Sequence, residues 1–264
     1  MQASHTLERS VQANVTPTRD PASTIDRLGP ALRPLTHSLG RQDWRHLCFL
    51  HWPAAPEAVR PLLPPGLELD LHRGRAWLSV VPFECRRTRV AALPRVKLHD
   101  FLEVTVRTYV LRDGVPGVFY FSLDANSRLA VWAARSLGGL AFRRAKIAMA
   151  VEGHHVSIQA KRLTGTRPIL RARLTLGTSQ ALSAPGTVEH FLLERYAWYV
   201  RRLGQVWRGR IHHAPLLWRP AHLLEIDDEL VHSAGLPGYA FPPPLAHYVA
   251  GADVELFAPT RCGR

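Results

Sequence analysis

FLEVTVRTYV, residues 101–110, is the stretch on which the rest of the chain turns. Successive side chains of a strand point to opposite faces. Leu102, Val104, Val106, Thr108 and Val110 therefore share one face, and Phe101, Glu103, Thr105, Arg107 and Tyr109 share the other. The first face suits a core. The second carries two charges, a hydroxyl and two rings, and strands with one wet face commonly look like this. The hairpin partner argues otherwise. GVFYFSLD, residues 117–124, is apolar on both faces, so neither side of this part of the sheet reads as open to water. The residues alone leave both readings open, a solvated face and one that lines a largely enclosed cavity.

Working outward, strand-like segments dominate. DWRHLCFLHW (43–52) precedes a short proline-bounded helix, PEAVRPLLPPG, and LELDLH and RAWLSVVPF flank a turn at Arg73-Gly74. ALPRVKLHD (92–100) reads as a loop, and Gly114-Val115-Pro116-Gly117 as the hairpin turn after strand 101–113. NSRLAVWAARSLGG (126–139) reads as a helix capped by Asn126 or Asp124, with Leu129, Trp132, Ala133 and Leu137 as its apolar stripe and Gly138-Gly139 as its stop. Strands resume at AFRRAKIAMAVEG, HHVSIQAKRL and PILRARLTLG. GTVEHFLLERY is a short helix, and YAWYVRR and VWRGRIHH form a hairpin at Gly204. LLEIDDELVHSAG and AHYVAGADVELFAP complete the core. The pattern predicts a β-rich α+β fold, a curved antiparallel sheet or cone-like β-barrel with a few short helices. Residues 1–40 read as a disordered tail, 41–258 as a single domain and 259–264 as a C-terminal tail.

The chain has 264 residues, 46% of them hydrophobic, with seven tryptophans, which indicates a packed globular protein. Its 34 basic and 21 acidic residues give a net charge of +13. Arginines carry nearly all of it, scattered from end to end, and only Lys97, Lys146 and Lys161 are lysines. Without a concentrated basic stripe or a known motif, no nucleic-acid partner is expected. Nor is a membrane partner, since no apolar run approaches the roughly 18 residues of a span. Cys48, Cys85 and Cys262 form no disulfide or zinc spacing, and the first residues lack a signal-peptide core. The expected location is the cytoplasm.

His154-His155 and His212-His213 invite a metal. Adjacent residues in a strand point apart, however, and no ligand spacing supports either pair. No metal and no cofactor are expected. SLGGLAF places its glycines at the end of a helix rather than before one, so it forms no phosphate loop.

DWRHLCFLHW, PEAVRPLLPPGLELD, FLEVTVRTYV, FYFSLDANSRLAVWAAR, EHFLLERY and RGRIHHAP, in this order over about residues 43–257, resemble the YqjF-like family of uncharacterised bacterial proteins, within the acetoacetate decarboxylase-like superfamily. The resemblance implies a cone- or barrel-like domain around a small-molecule cavity. Decarboxylases of that superfamily use a lysine with a lowered pKa as an imine-forming nucleophile. By motif, their arginine before the first strand falls on Arg45 and their glutamate on Glu103. Their second glutamate falls near Trp77-Leu78, where no carboxylate stands, and their lysine within Ala141-Phe142-Arg143. Arginine stays protonated and cannot form an imine. Lys146 lies three to five residues late, and an odd slip in a strand puts it on the other face.

Three readings follow. The first is a cavity that binds a small acidic or keto-acid metabolite, without the Schiff-base lysine at its expected place. Arg45, Glu103, Arg107 and Arg143 would be polar ligand contacts, Trp52, Tyr109 and Phe142 apolar walls, and Glu103 a candidate base. The second is a Schiff-base lyase that uses Lys146. The third is a non-catalytic structural or interaction protein. Whether the chain is an enzyme, and whether it forms a homo-oligomer, the sequence leaves open.

Overall fold

The computed structural model describes residues 25–91, 93–97, 99–236 and 245–263, with the backbone alone at 93–97 and 137–138. Strand β1 (Gly40–Ala54) leads through helix α1 (Pro56–Val59) to β2 (Glu68–Leu69), β3 (Ala76–Val90), β4 (Leu93–Lys97), β5 (Phe101–Arg112) and β6 (Val115–Ala125). Helix α2 (Arg128–Gly138) is followed by β7 (Phe142–Glu152), β8 (His155–Arg162), β9 (Ile169–Leu176) and α3 (Val188–Leu193). The chain closes with β10 (Ala197–Arg202), β11 (Gln205–His212), β12 (Trp218–Asp228), α4 (Leu230–Ser233), β13 (Leu245–Leu256) and β14 (Thr260–Arg261).

The pairings close two rings. Strands β6, β5, β3, β1 and β13 form a common wall. On one side β13 pairs with β11, β11 with β10 and β10 with β6, completing a ring of seven strands. On the other side β7, β8, β9 and β12 carry the path from β6 back to β13, completing a ring of nine. The sheet is not purely antiparallel, because β6 runs parallel to both β10 and β7.

Alternation along β5 supplies both interiors. Val104 and Val106 pack with Val156, Ile158, Leu170 and Leu174 of β8 and β9 in the nine-stranded ring. Phe101 and Tyr109 belong to a second cluster with Phe49, Val81, Phe83 and Phe191. Two residues with positive φ shift this phase. At His46 (φ 54°) β1 changes sides, so Trp44 joins the cluster of Leu47 and Phe49 while Cys48, Leu50 and Trp52 face the other ring. At Arg87 (φ 47°) β3 makes a similar change, which brings Thr88 and Val90 to the side of Val81 and Phe83.

Several local expectations are corrected. The segment expected to be a loop at 92–100 contains β4, which adds to β3; its Pro94 suits a strand paired on one side. The β5–β6 turn is Asp113-Gly114, both at positive φ, and β2 pairs with β5 rather than β3. Helix α2 is capped by Ser127, whose Oγ accepts from Ala130 N, because Asn126 Oδ1 instead accepts from Leu102 N. Its inner residues are Ala130, Val131 and Ala134, while Leu129 and Trp132 are exposed. The side chain of Leu137 lies outside the described residues. Residues 25–40, placed in a tail by composition, lie against the body through an Arg27–Asp70 ion pair and an Arg33–Glu255 ion pair. In the C-terminal segment β14 pairs with β11.

The β6–β10 seam that closes the seven-stranded ring passes over Gly117, where an added Cβ would stand 2.7 Å from Ala197 O and 2.7 Å from the Tyr199 ring. Backbone cannot move aside as a flexible side chain can. Gly117→Ala is expected to cost about 1–3 kcal/mol in urea unfolding, the range for overpacking. An unchanged midpoint would show that the seam yields freely.

Candidate functional site

The seven-stranded ring encloses a cavity of about 270 Å³, with walls from β1, β3, β5, β6, β10, β11 and α2. Its lining is mostly apolar: Leu47, Phe49, Phe83, Phe101, Phe142 and Trp198 are representative. From β5 it receives Glu103, Thr105 and Arg107, the polar face on which the sequence question turned.

Glu103 is 8% exposed and is contacted by Cys85, whose thiol donates weakly to Oε2 at 3.9 Å. Burial, and to a lesser degree the charge of Asp124, push its carboxyl up to about 8 despite that thiol contact. At neutral pH Glu103 is therefore mainly a neutral acid that can donate a hydrogen bond. Tyr120, also on the wall, is pushed up to about 12 by burial and stays a phenol.

A second constellation occupies the end of the cavity near α3. Arg195, 5% exposed, donates from Nη1 to Asp70 Oδ2 at 2.6 Å and from Nε to Phe191 O at 2.6 Å. Arg27 grips the other side of Asp70, with Nη2 2.6 Å from Oδ1. Burial alone would raise the Asp70 carboxyl, but the hydrogen bond from Arg27 and the charges of Arg195 and Arg27 outweigh it and hold the group low. Asp70 thus balances one of two arginines. Arg107 donates to Leu192 O at 3.4 Å and lies over Phe49 and Tyr109; no ion pair holds it among the described residues. Arg195 lies over the same Tyr109 ring, 5.0 Å from its centroid. Buried Arg107 Nε, Arg195 Nη2 and Thr105 Oγ1 find no partner among the described residues. Native interiors hold few such groups, and cavity-lining clusters of them mark places where a ligand or water is received.

Tyr109 supports this end from below. Its hydroxyl donates to Leu192 O at 3.1 Å and meets Ser79 Oγ at 2.7 Å, which meets His51 Nδ1 at 2.7 Å. If the Tyr109 proton goes to Leu192, Ser79 donates to Tyr109 and His51 Nδ1–H donates to Ser79. Burial, reinforced by His247 and Arg107, drives the His51 pKa well down, so the ring is neutral and that chain selects its Nδ1–H tautomer.

The other sequence candidates lie elsewhere. Arg45 stands before the His46 shift and so points away from the cavity; it donates to Trp44 O at 2.9 Å and to Asp253 Oδ1 at 3.2 Å. Trp52, after the shift, packs in the nine-stranded ring. Tyr109 is beneath the wall and not part of the lining, Phe142 lines the cavity, and Arg143, the next residue, is exposed on the opposite face. Lys146 and Lys161 are paired neighbours on exposed positions of β7 and β8. Among the described residues no lysine lines the cavity. His212 Nδ1 contacts Ala31 O at 3.1 Å, and buried His213 stacks on Tyr196. No group of three metal-ligating side chains occurs among the described residues. Ser122 and Asp124 face the nine-stranded ring, where Arg162 holds both.

Asp70 and Arg195 were missed by sequence reasoning. The two are 125 positions apart and no spacing links them. The available signal was Arg195 itself, a charge following the apolar run FLL at the end of a short helix.

Residues 41–253 match the DUF2071 family model, described as an uncharacterized conserved protein. The chain belongs to the DUF2071 family. It is 35% identical over 229 residues to the uncharacterized protein YqjF of Bacillus subtilis strain 168, covering 84% of this chain and 91% of that one. Among solved structures, the enduracididine biosynthesis enzyme MppR superposes with a TM-score of 0.60 at 12% identity, over 86% of this chain and 89% of MppR. The acetoacetate decarboxylase of Legionella pneumophila gives 0.58 at 14% identity, over 96% and 98%. This DUF2071 chain therefore has the acetoacetate decarboxylase-like fold, as the motif resemblance implied. Among its described residues no helix is long and apolar enough to cross a membrane.

Proposed function

We propose that the seven-stranded ring is a receptor cavity for a carboxylate-bearing small molecule, of the acidic or keto-acid kind. The observation that carries this reading is the charge at the α3 end. Arg27, Asp70 and Arg195 sum to one positive charge and Arg107 adds another, while the α3 carboxylate Glu194 is already taken up by Tyr196 Oη and Leu216 N and Glu103 is neutral at pH 7. Guanidinium groups lining a low-dielectric wall, one of them without an ion-pair partner among the described residues, favour a planar anion, which takes charge-assisted hydrogen bonds. A fold neighbour, MppR, has been seen with pyruvate, itself a keto acid.

Lysine chemistry has no support here, since Lys146 is exposed and is not among the residues that line the cavity. Incubation with pyruvate, acetoacetate or phenylpyruvate and borohydride is expected to leave no adduct on any lysine by peptide mapping. An adduct on Lys146 would restore the lyase reading. The binding reading is tested by thermal shift and calorimetry with the same acids and their matched amides. The acids should bind and the amides should not, and Arg107→Gln should weaken the acids roughly 10- to 100-fold, as loss of a charged hydrogen bond does. Equal binding of acid and amide would refute the assignment.

A further inference from the structure

The cavity is longer than a three- or four-carbon acid requires. Glu103 and Arg107 lie four residues apart on one strand, about 13 Å at ordinary rise, and both line it. Beyond Glu103 the wall continues into Phe101, Phe142 and Leu123, and α2 presents small residues, Ala130, Ala133 and Ala134. Large rings on one side and alanines on the other leave an apolar slot at the end away from the arginines.

We infer that the occupant is an elongated monocarboxylate, a medium-chain alkyl or aryl-alkyl acid, with its carboxylate at Arg107 and Arg195 and its apolar body along β5 into the slot between Phe142 and α2. This deepens the receptor reading and depends on it for the position of the carboxylate. The polar groups that the body passes do not oppose it. Thr105 offers a hydroxyl without a partner among the described residues, and Glu103 is uncharged at neutral pH. An ionised carboxylate midway along the wall would exclude such a chain.

The test is calorimetry at pH 7 with acetate, butanoate, hexanoate, octanoate and decanoate, each below its micellar concentration, beside the matched primary amides. From butanoate to octanoate the affinity should rise roughly fourfold per methylene, the increment for burying one CH₂. It should go on rising to decanoate, because the run from Arg107 to Glu103 is already about 13 Å, on the order of ten carbons, and the slot lies beyond it. Ala134→Phe, placed at the slot, should abolish the gain from octanoate to decanoate. Ala133→Leu serves the same end if the first variant does not fold. Carboxylate-dependent binding that is flat with length overturns the elongated ligand while the receptor reading stands. No binding by any acid removes the receptor reading itself. A rise with length that the amides share and Arg107→Gln leaves intact places the chain elsewhere and overturns the inference.

Discussion

Between pH 5 and pH 8 the Glu103→Gln variant is expected to gain roughly 3–4 kcal/mol on the wild-type protein, crossing from a small advantage at the acid end to most of its full advantage at the alkaline end. The Glu103 carboxyl titrates near 8 in the folded chain and in the ordinary carboxylate range when unfolded. Below the unfolded value both states hold the proton and folding is not penalised. Between the two values the folded state binds a proton that the unfolded state has released, so stability falls as pH rises and the loss is complete above about 8. Six histidines, His46, His51, His72, His190, His213 and His247, are lowered chiefly by burial and act in the opposite sense. Burial holds His51 well below its usual value and His247 at about 4, so wild-type stability gains over the range in which they would titrate when unfolded. The wild-type curve alone therefore mixes signs, and the difference between wild type and Glu103→Gln isolates the carboxyl. Urea unfolding at pH 5, 6.5 and 8 measures it. Parallel curves would mean that Glu103 is ionised and solvated in the folded chain.

The second large effect lies in the other ring. Arg162 and Asp124 are each 2% exposed in their side chains and joined by two bonds of 2.7 Å; Ser122 accepts from the same guanidinium and donates to Asp124 at 2.7 Å. Asp124→Asn leaves a buried guanidinium without its counter-charge and should cost about 3–5 kcal/mol. The pair itself need not be a net source of stability, because both charges were taken out of water to make it. Asp124→Leu combined with Arg162→Met should therefore recover most of the loss, with a midpoint within about 1–2 kcal/mol of wild type. A double variant as unstable as Asp124→Asn would show that the network contributes net stability. Since Asp124 and Arg162 face away from the cavity, their variants also separate folding defects from binding defects.

Much of the fold was legible because β5, β8 and β9 alternate cleanly; β8 is buried at every second residue from Val156 to Arg162. The same alternation put Glu103, Thr105 and Arg107 on one side, and the structure sets that side against the cavity. What failed was phase. A single residue at positive φ, His46, reverses inside and outside along β1, and no local signal announces it, since His is not a residue that requires that conformation. Arg45, assigned by motif, lies on the outer side before the shift, and Trp52 faces the other ring after it. Helix α2 failed for a related reason: its alanines face the cavity and its larger Leu129 and Trp132 face out, against the usual rule that bulk marks the buried side. The Arg27–Asp70–Arg195 cluster was missed because it joins three distant segments through side-chain ion pairs that no spacing announces.

The wall common to the two rings has a bearing on how such a protein can change. Each of its strands is written in two interleaved registers. On β5, Val104 and Val106 answer to a packed interior with no room for a different volume, whereas Thr105 and Arg107 border space. Substitution in the second set alters what the molecule accepts while the first goes on specifying the shape. Specificity and foldability thus occupy alternate letters in the middle of the same ten-residue word, and a library confined to Glu103, Thr105 and Arg107 would vary the one at little expense to the other.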